Sequence, residues 1–170
     1  MQAISFLKEK IWSHDEISMV QKSYRYEHSL RVAAIGRVIS MAEGLDAETL
    51  SVGCILHDVG TFDSLENPRG HGRISAKIAR EFLNSIGYEE AKIQDICYGI
   101  AIHVDDKADF EGEKTTIAES ISDCDNIDRF DVYRIYENLE YLKFSEMTIE
   151  DKLSHVNRIL PRLKRYMEMK

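Results

Sequence analysis

Gly53-Cys54-Ile55-Leu56-His57-Asp58-Val59-Gly60 decides how this chain is read. An apolar run leads straight into two adjacent metal-competent side chains, and a glycine follows. Read as a helix over Asp46–Asp58, the segment takes an N-cap oxygen from Asp46 and covers a core with Leu50, Ile55 and Leu56. Gly60 stands where a helix commonly stops, because glycine adopts the left-handed turn without a Cβ penalty. His57 and Asp58 then fall in the last turn, at the mouth of the core. Successive helical residues diverge by about 100°, yet at a helix end both can reach one ion. A buried charge of this kind is costly unless it is paired or holds a cation. Taken alone, a His-Asp dipeptide is better explained by a solvated pair, so its neighbours carry the argument.

Working outward, apolar residues recur at helical spacing on both sides. Gln2–Trp12 places Ile4, Leu7 and Ile11 on one face. A longer helix from about Ser23 to Ala42, ending near Gly44, aligns His28 with Val32, Ile35 and Ile39. Val59–Gly70 reads as a loop, and His71 opens a helix through Ile74, Ile78, Phe82 and Ile86 to Gly87. Ile93, Ile96 and Ile100 mark the next helix, with His103 on the same stripe at its end. After the polar loop Asp105–Lys114, Thr116-Ile117-Ala118-Glu119 reads as a capping box. The helix it opens carries Ile117, Ile121, Asp125 and Asp128 on one face. Asp131–Phe144 and Thr148–Met169 complete the set, with Pro161 expected to kink the last. Strand alternation never persists beyond a few residues, and neither repeats nor linkers are visible. The expected fold is all-α, a helical bundle forming a single domain over residues 1–170.

Composition narrows the function. With 44% hydrophobic and 31% charged residues, the chain reads as globular. Its 170 residues suffice for one domain that buries about two-thirds of its unfolded surface. The net charge of -8 argues against a nucleic-acid polymer as partner. No apolar run approaches the ~20 residues of a membrane span, and Met1–Trp12 lacks a signal-peptide pattern. A cytoplasmic location is expected. Cys54, Cys97 and Cys124 each sit in an apolar helical pattern and are expected as buried free thiols. Arg69, Arg73 and Lys77 form a basic cluster, readable either as a solvated helix face or as a hold for a small anion. Tyr133, Tyr136, Leu139 and Leu142 suit an inner core, or alternatively a homodimer face. His14 and His155 read as surface residues.

Four helices thus carry a histidine or carboxylate where an apolar stripe would otherwise continue: His28, the His57-Asp58 pair, His103 and Asp125. His71 begins a fifth. A single histidine on an apolar face is usually a satisfied core residue, but this many around one adjacent pair are poorly explained as separate accidents. Imidazole nitrogens and carboxylate oxygens together make a mixed N/O site for a divalent cation. The absence of a thiolate from the set argues against structural zinc.

His28, His57-Asp58 and Asp125 together resemble the H…HD…D signature of the HD-domain superfamily of metal-dependent phosphohydrolases. The resemblance covers roughly His28 to Asp128. His28-Ser29-Leu30-Arg31-Val32 is similar to the family's first-histidine helix, and Asp123-Cys124-Asp125-Asn126-Ile127-Asp128 to its D-x-D-x-x-D motif. The resemblance implies His28, His57, Asp58 and Asp125 as metal ligands, with Asp125 rather than Asp123 in that role. It also implies that His71 and His103 hold a second ion bridged by Asp58, the lesser alternative for His71 being a helix-start residue near an anionic loop. One or two ions drawn from Mn, Fe, Co, Ni, Mg or Zn are expected.

Asp58 is on this view catalytic as well as a ligand. Some members place a lysine shortly after the pair; here Thr61 follows Gly60, so no lysine role transfers, and Asp63 is the nearby candidate for a catalytic proton shuttle. A divalent cation polarises a phosphoryl oxygen and lowers the pKa of its bound water. Arg31, Arg73 and Lys77 are the candidate contacts to substrate phosphate, Arg31 reading equally as an outer residue behind the ligands. The resemblance implies a nucleotide or another small phosphoester as substrate. Two other classes stay open: an HD-fold di-iron oxygenase using the same ligands, and a nucleotide-binding module without turnover. Intact ligands argue against the module, because a buried ionised cluster is costly to keep without its ion.

Overall fold

A computed structural model describes residues 2–168 of the chain. It divides into two compact units, Met1–Arg129 and Phe130–Lys170, and every candidate site residue lies in the first. Among the described residues all regular structure is helical, as expected. None of these helices is long and apolar enough to cross a membrane.

The first unit holds α1 (Gln2–Trp12), α2 (Met19–Glu43), α3 (Ala47–Leu56), α4 (His71–Ser85), α5 (Glu90–Ile102) and α6 (Thr116–Asp128). Helix α2 starts earlier than its apolar stripe suggests. Ser18 accepts from the Gln21 backbone while the Gln21 side chain reaches back to the Ser18 N–H, a capping box that satisfies two orphan donors. Asp46 caps α3 through the N–H groups of Glu48 and Thr49, as predicted. For α6 the expected box at Thr116 is displaced by one residue. Thr115 is the cap, accepting from Ala118, because its extended backbone aims the hydroxyl at the open turn.

Leu50, Leu56, Ile93, Ile96, Ile100 and Ile121 are fully buried where α3, α5 and α6 meet, with Val32 entering from α2. This is the predicted set of stripes closing on itself. Each buried Leu or Ile side chain contributes about 1.5–3 kcal/mol relative to exposure. The three cysteines are buried and free.

Two glycines bring backbones close together. Helix α3 ends at Leu56, so His57 and Asp58 occupy the turn beyond it rather than its last helical residues. Gly60 does not take the left-handed turn expected of it, since only Gly44 and Gly87 have positive φ among the glycines. Its requirement is steric: a Cβ there would lie 2.8 Å from both the Ser75 backbone nitrogen and Ile74 Cγ2 of α4. The space left by hydrogen lets Gly60 N–H donate to Ser75 Oγ at 2.9 Å. Gly72 acts similarly, because a Cβ there would meet the carbonyl oxygens of Ala101 and Ile100 at 2.8 and 2.9 Å. The start of α4 is thereby laid against the end of α5. Between the His57–Gly60 turn and α4, the expected loop contains two 3-10 turns, Phe62–Ser64 and Pro68–Gly70.

The second unit consists of α7 (Val132–Tyr141), a 3-10 turn at Phe144–Glu146, and α8 (Ile149–Glu168). Asp131 caps α7, and Pro161 lies inside α8. Met169, the expected end of the last helix, falls outside the described residues. Tyr133 and Tyr136 are 51% and 58% exposed, so the core expected of them does not form, while Leu139 and Leu142 are half-buried. His155, expected on the surface, is buried with its ring centroid 5.7 Å from that of Phe144. His14, in the first unit, is half-buried beside Phe62.

Candidate metal centre

Five elements deliver six side chains to one place: His28 from α2, His57 and Asp58 from the turn after α3, His71 from the first position of α4, His103 from the end of α5, and Asp125 from α6. His28, His57, Asp58 and Asp125 are buried; His71 and His103 are half-buried. Among the described residues, two groups could each hold a metal ion, His28-His57-Asp58 and Asp58-His71-His103, with the candidate ligand atoms of each within 4.8 Å of one another. Asp58 belongs to both. Its Oδ2 lies 3.3 Å from His57 Nε2 and 3.5 Å from His28 Nε2, and its Oδ1 lies 3.0 Å from His71 Nε2 and 3.6 Å from His103 Nε2. Asp125 Oδ1 joins the first group, 3.2 Å from His28 Nε2. Asp123 is exposed on the other side of α6.

The imidazoles are oriented from behind. Nδ1 of His57 faces the Cys54 carbonyl at 2.7 Å, that of His71 the Pro68 carbonyl at 2.5 Å, and that of His103 the Ile100 carbonyl at 2.7 Å. A carbonyl oxygen only accepts, so each Nδ1 carries a hydrogen and each Nε2 is the nitrogen turned inward. His28 does the same through Asp128, whose Oδ2 accepts from Nδ1 at 2.8 Å. The inward nitrogens stand in pairs, His28 with His57 and His71 with His103, each 3.2 Å apart. Two lone pairs at that distance repel unless a proton or a cation lies between them. Among the described residues, moreover, the buried Asp58 Oδ1 has no hydrogen-bond partner. Converging nitrogen lone pairs and a buried, unsatisfied carboxylate oxygen fit a divalent cation, and this donor set suits borderline ions.

Charge is balanced in pairs. Asp58 receives Arg25 Nη1, Asp125 Oδ2 receives Arg129 Nη2 at 3.0 Å, and Asp128 Oδ1 receives Arg31 Nε at 3.0 Å. Burial would raise the Asp58 carboxyl, but the Arg25 charge and the histidines hold it well below the usual carboxylate range. Asp125 behaves likewise, burial being outweighed by His28, His57 and Arg129. Burial lowers His57, which stays neutral. Burial also pulls His28 down, yet its contacts to Asp125, Asp128 and Asp58 raise it to about 9.

Of the residues expected to meet substrate, Arg31 stands behind His28 on Asp128. Arg73 donates to Asp105 at 2.9 Å and to the Lys107 carbonyl at 3.1 Å. Lys77 is an exposed cation on α4. Asp63 accepts from Lys10 at 2.6 Å, and its other oxygen lies 3.5 Å from His14 Nε2. Thr61 donates its hydroxyl to the Asp58 carbonyl at 2.8 Å and so braces the turn. Sequence reasoning missed Arg25, Arg129 and the orienting role of Asp128. The one available signal was helical spacing, which puts Arg25 one turn before His28 and Arg129 one turn after Asp125.

With this geometry in view, the likeness to known proteins is specific. The HD domain matches residues 25–130, which contain every ligand candidate. An uncharacterized protein of Clostridium beijerinckii is 32% identical over 111 residues, covering 62% of this chain and 71% of that one. The crystal structure of a predicted HD superfamily hydrolase from an uncultured Thermotogales bacterium superposes with a TM-score of 0.65 at 17% identity, covering 96% of this chain and 90% of that one. The chain belongs to the HD domain family.

Proposed function

We propose that this chain is a metal-dependent phosphohydrolase acting on a small anionic phosphoester, with nucleotides the first class to test. The observation that carries the reading is the pairing of three buried carboxylates with three arginines. Their charges already cancel, so a divalent ion held by the imidazoles leaves the site net positive. A net positive, largely buried site attracts an anion strongly, since charge is poorly screened there.

Bound there, a divalent cation supplies Lewis-acid polarisation of a phosphoryl oxygen and an activated water. His28, His57, Asp58 and Asp125 would hold one ion, and Asp58 with His71 and His103 would hold a second. Arg25, its side chain 21% exposed above Asp58, is the cation we assign to the phosphoryl oxygens at the mouth of the site. Lys77 stays available on α4, whereas Arg31 and Arg73 are engaged with Asp128 and Asp105. A proton-shuttle role for Asp63 requires its carboxylate to leave Lys10.

The test is a panel of phosphomonoesters, phosphodiesters and nucleotides, assayed with anaerobically prepared protein loaded with Mn²⁺, Co²⁺, Ni²⁺ or Fe²⁺. Release of phosphate or pyrophosphate that disappears in Asp58→Asn is the expected result. Substrate-dependent oxygen consumption by the iron-loaded chain, without hydrolysis of any phosphoester, would transfer the site to oxygenase chemistry.

A further inference from the structure

We infer that Arg25 is a built-in competitor for the divalent ion, and that its displacement from Asp58 sets how tightly the site holds metal. The inference rests on the reading of the cluster as a metal centre. It comes from comparing the three arginine–carboxylate pairs oxygen by oxygen. Arg129 takes Asp125 Oδ2, leaving Oδ1, the oxygen 3.2 Å from His28 Nε2, to face the site. Arg31 takes an oxygen of Asp128, which stands behind His28 on its Nδ1 side. Both arginines therefore hold a carboxylate from outside. Arg25 differs, because Nη1 donates to Asp58 Oδ2, the oxygen that faces His57 Nε2 and His28 Nε2. A guanidinium and a divalent ion thus claim the lone pairs of one oxygen.

The Arg25 pose is also incompletely satisfied. Among the described residues its buried Nε has no hydrogen-bond partner, although a guanidinium offers five donors in a fixed fork. Here the contact compensates the Asp58 charge, and among the described residues little else anchors it. Arg25 lies one turn before His28 on α2, with its guanidinium carbon 5.9 Å from the Tyr24 ring at the rim. A displaced guanidinium stays at the mouth of the site, where an anionic substrate group can take its donors. The ion's arrival would in this way prepare the anion site.

The experiment is calorimetric titration of metal-free, full-length protein with Mn²⁺, comparing wild type, Arg25→Gln and Arg129→Gln. Arg25→Gln should bind the ion more tightly, by about tenfold, since a like charge and a competing donor are both removed. Arg129→Gln should bind more weakly, because Asp125 loses the partner that orients it. The metal-free Arg25→Gln protein should also melt below wild type and gain more in melting temperature on addition of Mn²⁺. If Arg25→Gln does not fold without metal, Arg25→Lys replaces it. Lysine keeps the charge but not the planar fork, and affinity above wild type is again expected. Affinity equal to or below wild type in the folded Arg25 variant would overturn the inference and make Arg25 a positioning residue for Asp58. Failure of the wild type itself to take up a divalent ion would instead remove the metal-centre reading, and this inference with it.

Discussion

Nδ1 of His28 lies 2.8 Å from Oδ2 of Asp128, a carboxylate one hundred residues further along the chain. This contact ties α2 to α6 and fixes which nitrogen of His28 faces the ligand cluster. The fully buried carboxylate is held in turn by Arg31, so the ring's orientation depends on two residues that touch no ligand position.

Asp128→Ala should therefore weaken metal binding by about 10–100-fold, the usual cost of removing a partner that orients a ligand. Arg31→Ala should cost less, because Asp128 would still accept from His28. Equilibrium titration with Mn²⁺ measures both, with circular dichroism confirming that the helices persist.

His103→Ala separates the two ligand groups. It leaves His28, His57, Asp58 and Asp125 intact and removes one nitrogen from the Asp58-His71-His103 group. Bound metal should fall by about half as that group empties. Unchanged metal content would reduce the centre to one ion and leave His103 for substrate contact or proton donation.

Asp46 provides a test of stability away from the site. It caps α3 and binds Lys92 at 2.7 Å. The Lys92 contact, with the Thr49 N–H, lowers its carboxyl from 3.8 to about 2. A depressed folded-state value means the contribution is complete above the unfolded value of 3.8 and is lost as pH falls toward about 2. Asp46→Ala should cost about 1 kcal/mol near neutral pH, the typical value of an N-cap. Urea unfolding of both proteins across the acid range should show the gap narrowing as the pH drops through that window. A gap independent of pH would mean the charge contributes nothing.

The candidate ligands were legible because each interrupts a regular pattern. His28 on the Val32 stripe, His103 after Ile100 and Asp125 after Ile121 are polar residues at core positions, and helical periodicity exposes them without tertiary information. The arginine partners leave no such trace. Arg25 meets Asp58 across 33 residues and Arg31 meets Asp128 across 97, and on its own helix each looks like a solvated cation. Gly60 was misread for a related reason. Its identity answers to α4, fifteen residues away, while the sequence offers only its place after a helix. The Thr115 cap shows the limit of motif reading within a single turn, since Thr115 and Thr116 are both plausible and only backbone conformation selects between them.

Asp58 is the residue shared by both ligand groups, and metal analysis of anaerobically purified Asp58→Asn beside wild type tests the account most directly. Wild type is expected to retain divalent metal, and the variant, still helical, to lose it from both groups at once. Equal metal content in the two proteins, or metal in neither, would contradict it.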